Sequence, residues 1–147
     1  MLIGISPDIS PELLEVLDRM GHGDELVITD AFYPGDTKSS RCIRADGVSA
    51  NTLLDGIFSL FNPDLMVSDP CVMMEPTKGD SFDSRIEKGF QEIIWKHWPD
   101  TPKIQKISRD DFYERAKRSY AVVVSGSVVK YGCIIIRKGV LPVPPRM

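Results

Sequence analysis

The sequence predicts an α/β domain, and three features carry that expectation. Helical patterns alternate with short apolar runs along the chain. One run, Leu26-Val27-Ile28, is apolar throughout, as a strand buried on both faces must be. Another, Tyr120-Ala121-Val122-Val123-Val124, is the strongest strand signal in the chain and breaks at Ser125-Gly126.

The first helix is signalled by Ser10-Pro11-Glu12: a capping hydroxyl, a proline suited to the first turn, and a carboxylate at the positive end of the dipole. Leu13, Leu14, Leu17 and Met20 then mark one face, and Gly21 closes the helix. His22 follows between two glycines, and the strand at 25–29 ends beside Asp30. In parallel α/β sheets the carboxyl ends of the strands form the ligand crevice, which is where Asp30 falls. Two readings of this stretch stay open. An imidazole titrates at about 6.5, so His22 can move protons at neutral pH; equally, His22 serves a helix end and Asp30 starts a turn.

Phe32-Tyr33-Pro34-Gly35-Asp36-Thr37 reads as a loop, its aromatics serving either packing or ligand contact. A short strand at 41–44 stops at the Asp46-Gly47 turn. A second helix starts near Ser49, carries Leu53, Leu54, Ile57, Phe58 and Phe61, and stops at Asn62-Pro63. Residues 65–67 and 71–74 are apolar runs, either of which can be a strand. Residues 76–83 are turn-like and lack the spacing of a phosphate loop. A third helix spans about 83–97, with Ile86, Phe90, Ile93 and Ile94 on one face and His97 as a solvated partner of its dipole.

Residues 103–107 alternate like a strand and lead into Ser108-Arg109-Asp110-Asp111, a helix start resembling a capping box. Arg109 and Tyr113 then share a helix face. Arg109 either donates to sugar hydroxyls or a carboxylate, or pairs with acids at the surface. Tyr131 precedes Gly132, a bare backbone position that a small ligand can approach closely, and Cys133 leads into the strand at 134–136. The tail Leu141-Pro142-Val143-Pro144-Pro145 is too proline-rich for a central strand.

The 147 residues fit one domain, spanning 1–147. A net charge of −3 with both signs interspersed points to no nucleic-acid partner, and no basic amphipathic stretch points to a membrane. Met1-Leu2-Ile3-Gly4-Ile5 is not a signal peptide. Three scattered cysteines with no Cys-x-x-Cys pair predict a reduced, cytoplasmic chain without structural disulfide or zinc.

Gly4-Ile5-Ser6-Pro7, Pro11-Glu12-Leu13-Leu14, Met20-Gly21-His22-Gly23-Asp24-Glu25, Arg44-Ala45-Asp46-Gly47, Phe112-Tyr113-Glu114-Arg115-Ala116 and Tyr131-Gly132 occur in an order that resembles the L-fucose mutarotase and D-ribose pyranase family, closer to its fucose branch. The resemblance covers nearly the whole chain. It implies a three-layer α/β/α subunit with a mostly parallel mixed sheet, ring assembly as a homo-oligomer (commonly a decamer), sites between neighbouring subunits, a monosaccharide substrate, and neither metal nor cofactor. It assigns the proton donor to His22 and substrate binding to Asp30, Arg109 and Tyr131-Gly132-Cys133. Two positions depart from the family: Cys133 stands where the family has asparagine, and Phe32 where it has histidine or asparagine.

The implied reaction is mutarotation of L-fucose: His22 protonates the ring oxygen, the anomeric hydroxyl loses a proton, and the C–O bond opens and recloses. Tyr131, Tyr120 or water would relay the second proton, with Tyr113 a further candidate contact. The alternatives are a non-catalytic monosaccharide-binding accessory protein, a D-ribose pyranase and, distantly, a thiol hydrolase using Cys133.

Overall fold

The computed structural model describes residues 1–142. Six strands form one sheet: β1 (Glu25–Thr29), β2 (Cys42–Ala45), β3 (Cys71–Met74), β4 (Gln105–Ile107), β5 (Ala121–Ser125) and β6 (Ile134–Arg137), in the order β2-β5-β1-β6-β3-β4. The pairs β2/β5, β5/β1 and β3/β4 are parallel. The strand β6 runs antiparallel to both its neighbours, β1 and β3, so the other five strands all point one way.

Alternate residues of each central strand feed opposite faces. Leu26, Ile28, Val123, Ile134, Ile136 and Met73 face a layer made by α1 (Pro11–Arg19), α3 (Ala50–Phe58) and α4 (Arg85–His97). Val27, Val122, Val124, Val72 and Ile135 face Phe112 and Ala116 of α5 (Arg109–Lys117) and Tyr33, just before the short α2 (Gly35–Lys38). Leu26, Val27 and Ile28 are all fully buried, which explains why this stretch is continuously apolar. The layers are therefore α/β/α, as expected.

Local chemistry sets the helix starts. Ser10 Oγ accepts from the Leu13 N–H, Ser49 Oγ from Thr52 and Ser108 Oγ from Asp111. Several expectations are corrected. Gly21 is not a left-handed cap: Met20 ends α1 in an extended conformation, and the left-handed residue is Gly23, φ 87°. The punctuated stretch after Phe32 contains the one-turn helix α2, whose first residue, Gly35, is packed too tightly against Val124 and Cys42 to carry a side chain. Of the two apolar runs, 71–74 is β3, while Leu65 and Met66 are exposed outside any strand. Phe61 lies past the end of α3 but remains buried. His97 is no solvated dipole partner, since its Nε2 sits 2.7 Å from Asp55 Oδ1. Leu141 and Pro142 belong to no strand; the rest of the proline-rich tail, 143–147, lies outside the described residues.

Candidate active site

A cavity of about 340 Å³ opens at the carboxyl end of β1, on the α5 face of the sheet. The antiparallel strand makes it possible. Because β6 pairs Ile134 with Ile28 and Arg137 with Glu25, its first residues meet the carboxyl end of β1 and its last residue the amino end. Asp30, Cys133 and Tyr131 thereby come together, with Gly132 between them against Asp30; a Cβ there would be tight only against Val129 O, at 3.1 Å. From the helix side, Arg109 in the first turn of α5 and Tyr113 one turn later complete the wall, the guanidinium 5.1 Å from the Tyr113 ring centroid. Arg115 holds α5 in place through a two-pronged bond to Glu25 on β1 (2.9 and 2.7 Å) and a third bond to Asp69.

Asp30 is 5% exposed. Its Oδ1 accepts the Phe32 N–H at 2.9 Å and its Oδ2 the Cys133 thiol at 3.4 Å. Both open readings of Asp30 are thus realised: it turns the chain and it floors the cavity. Burial pushes its carboxyl above the usual range, against the opposing pull of the Phe32 N–H and Cys133. Burial and the Asp30 charge drive the Cys133 thiol well above its ordinary value. Among the described residues no histidine lines the cavity with Cys133, so the thiol-hydrolase reading lacks both a thiolate and a base. Tyr131 sits in the left-handed region, φ 63°, a conformation a tyrosine rarely adopts. Tyr33, Met74, Lys130 and the exposed Phe32 finish the lining, so aromatic and aliphatic surface dominates and Arg109, Lys130 and Asp30 supply the charge.

His22 lies elsewhere. It precedes β1 while Asp30 follows it, and five strand residues at about 3.3 Å each put roughly 16 Å between the two ends. Its Nε2 is 3.2 Å from Asp64 Oδ2, and that carboxylate also accepts from Arg137 Nε (3.0 Å) and, through Oδ1, from the Met66 N–H (3.1 Å). The Asp64 side chain is 2% exposed and the His22 ring 45%. Burial raises the Asp64 carboxyl, but the Met66 N–H, Arg137 and His22 together outweigh it and leave the group below the usual range. Gly23 is required beside the histidine both by its φ and by room, because a Cβ there would come 3.1 Å from Arg137 Nη2. The helix-end reading of His22 fails: Lys138 Nζ takes the final α1 carbonyls, Leu17 O at 2.7 Å and Met20 O at 2.6 Å.

The cavity therefore unites Asp30, Arg109, Tyr113, Tyr131 and Cys133, with Gly132 packed behind, and leaves out His22 and Tyr120. Tyr120 sits at the His22 end, its N–H on Glu25 O and its ring under the Arg41 guanidinium at 4.1 Å. Arg109 stands exposed at the cavity wall with its guanidinium over the Tyr113 ring. The loop aromatics Phe32 and Tyr33 do reach the cavity, whereas Asp64, Arg137, Lys130 and Asp80 escaped the sequence reading. Asp64 follows the Asn62-Pro63 stop like any loop acid, and its partners are 42 and 73 residues away.

Residues 3–141 match the model of the RbsD / FucU transport protein family. The chain is 51% identical over 143 residues to an L-fucose mutarotase of Actinobacillus pleuropneumoniae serotype 5b (strain L20), covering 97% of this chain and 99% of that protein. It is 48% identical, with the same coverage, to an L-fucose mutarotase of Histophilus somni (strain 2336). The crystal structure of the fucose mutarotase in complex with L-fucose from Streptococcus pneumoniae matches with a TM-score of 0.90 and 40% identity, over 95% of this chain and 99% of that one. Likeness of this extent in both sequence and fold spans every element that builds the cavity and the histidine end alike. The chain belongs to the RbsD / FucU transport protein family.

Proposed function

We propose that this protein is an isomerase that interconverts the α and β anomers of L-fucose by acid–base ring opening. The observation that carries the reading is the Asp30–Arg109–Tyr131 cavity, in a chain about half identical, over almost its full length, to proteins named L-fucose mutarotase. Asp30, Arg109 and Tyr131 hold sugar hydroxyls, and the largely apolar lining meets the apolar side of the sugar, stiffened by the Tyr33 and Tyr113 rings stacked 5.3 Å apart. His22 gives a proton to the ring oxygen while the anomeric hydroxyl releases one to water, directly or relayed by the Tyr131 hydroxyl, which passes a proton on as it takes one. The hemiacetal C–O bond breaks, the aldehyde rotates, and reclosure returns both protons. Positioned proton transfer is worth roughly 10²–10⁴-fold, a fitting scale for a reaction that water already supports.

His22 and the cavity of one chain are too far apart to touch one sugar, so the histidine comes from a neighbouring copy. A homo-oligomeric ring, a decamer in its full form, supplies that neighbour. Asp64 belongs to this half of the site: with Nε2 engaged by the carboxylate, Nδ1 is the nitrogen left to face the sugar. The three free thiols fit a reducing, cytoplasmic setting.

The test is anomer exchange followed by magnetisation-transfer NMR on L-fucose, D-ribose and rhamnose. Acceleration on L-fucose is expected, and it disappears in His22→Gln and in Asp30→Asn. Co-expressing those two inactive variants restores part of the activity, because mixed rings contain interfaces with both groups intact. No rescue would place His22 and Asp30 in separate sites. Binding without exchange would make the protein a monosaccharide-binding accessory protein, with Phe32 and Cys133 as the cause, and preference for D-ribose would make it a pyranase.

A further inference from the structure

Behind the cavity wall, bonded to the lining residues Lys130 and Tyr131, stands an acid that the proton transfers leave unused. Asp80 stands in the polar stretch at 75–83, shaped by the Asp80 N–H bond to Thr77 O and by Gly79 at φ 85°. Its Oδ2 accepts the Tyr131 hydroxyl at 2.7 Å, and its Oδ1 accepts Lys130 Nζ at 2.6 Å and the Ser81 N–H at 2.9 Å. The Thr77 N–H in turn donates to the Tyr131 hydroxyl at 3.2 Å. One carboxylate thus ties two neighbouring cavity residues to a loop about 50 positions away in sequence.

These bonds fix the direction of the tyrosine hydroxyl. A phenol has one proton to donate and lone pairs to accept with. The proton is spent on Asp80 and one acceptor site on Thr77, so what remains toward the cavity is a lone pair. The Lys130 and Tyr131 bonds hold the Asp80 carboxyl below its usual range, which keeps it an acceptor at neutral pH. Lys130 is likewise neutralised at the rim and does not compete with Arg109 for a ligand.

We propose that Asp80 is a positioning residue: by taking the Tyr131 proton and the Lys130 charge, it presents Tyr131 to the cavity as a hydrogen-bond acceptor, and the site selects a ligand hydroxyl that donates there. The inference rests on the reading that Tyr131 meets the sugar.

The test compares wild type with Asp80→Ala, Asp80→Asn, Tyr131→Phe and the Asp80→Ala/Tyr131→Phe double variant. Exchange kinetics on L-fucose, L-fucose binding by calorimetry and thermal melting are measured for each. Asp80→Ala is expected to raise KM about tenfold with kcat held within about twofold, the scale of one charge-assisted hydrogen bond. Asp80→Asn falls between, since an amide oxygen still accepts the phenol proton, and its near-identical shape separates binding from folding. The double variant matches Tyr131→Phe alone, because Asp80 acts through that hydroxyl. Among monodeoxy-L-fucoses, the one lacking the donated hydroxyl loses no affinity to Asp80→Ala.

An unchanged KM in Asp80→Ala, full additivity with Tyr131→Phe, or an equal penalty on every deoxy sugar overturns the proposal. A wild type that binds L-fucose without accelerating exchange defeats the mutarotase reading alone, and the binding series still decides Asp80. A wild type that neither binds nor exchanges overturns both.

Discussion

The two ends of β1 each bury an aspartate, and the two behave in opposite ways. At the amino end, Asp64 is gripped by Arg137, the Met66 N–H and His22, and its carboxyl titrates below the ordinary range. At the carboxyl end, Asp30 faces only neutral donors, the Phe32 N–H and the Cys133 thiol with weaker pulls from the Gly132 and Tyr33 N–H groups, and its carboxyl titrates above it. Burial penalises both charges, so the partners decide the outcome. A cation and an imidazole make Asp64 a permanent anion that can hold a histidine upright. Neutral donors do not cancel the Asp30 charge, and its oxygens keep acceptor capacity for a ligand's hydroxyls. One residue type thus serves as an anchor at one end and a binding group at the other.

The largest expected break in this symmetry comes from His22→Gln. If the amino end supplies the proton, exchange on L-fucose falls about 10²–10⁴-fold while sugar affinity changes little, because the cavity at the other end is untouched. Calorimetry beside magnetisation-transfer NMR separates the two effects. Asp64→Asn tests the anchor at one remove. The amide keeps the shape but not the charge, and kcat is expected to drop about tenfold with KM within twofold, as a loosened proton donor requires. A shifted pH–rate profile accompanies it; a KM effect without a kcat effect would move Asp64 out of the proton-transfer half.

At the Asp30 end the corresponding change adds an interaction. Cys133→Asn introduces an amide that donates to Asp30 more strongly than a thiol and still has an acceptor for the sugar. KM for L-fucose is expected to fall about two- to tenfold, the scale of one net hydrogen bond. The larger side chain enters a fully packed position, so melting drops by a few degrees. An unchanged KM would mean that residue 133 never meets the sugar and serves only to pack against Asp30.

The sequence carries the Asp30 end far better than the His22 end, and the reason is physical. Asp30, Arg109 and Tyr131 sit at element boundaries, where a strand exit, a helix start and a glycine each leave a local mark. Apolar periodicity likewise locates α1, α4, β1 and β5 within a residue or two and the start of α3, though it carries that helix one turn too far. Asp64 and Arg137 leave no such mark: their meaning arises only when β6 turns back antiparallel and carries Arg137 to the start of β1. His97 fails for the same reason, since its partner Asp55 lies on another helix. The one-turn α2 fails differently, because proline and glycine punctuation looks alike in a loop and in a tight helix start. Local chemistry is legible in sequence; pairing across the sheet is not.

The smallest expected effects are on stability, and there the two aspartates should differ in sign. The Asp64 carboxyl is depressed in the folded chain, so its ionised form stabilises the fold above the unfolded value of about 3.9, and that contribution is lost as pH falls through the folded value. Asp64→Asn should therefore melt below wild type from pH 7 down to about 4, and close the gap only as the pH falls further, through the depressed folded value. The Asp30 carboxyl is raised, so ionising it costs stability once pH climbs past the unfolded value, and the full cost is in place above the folded one. Asp30→Asn should melt above wild type at pH 7, with the advantage shrinking on acidification. Melting curves of both variants from pH 7 down to about 2 check this directly. Gaps of the same sign at pH 7 would mean that burial, and not the choice of partners, governs both carboxylates.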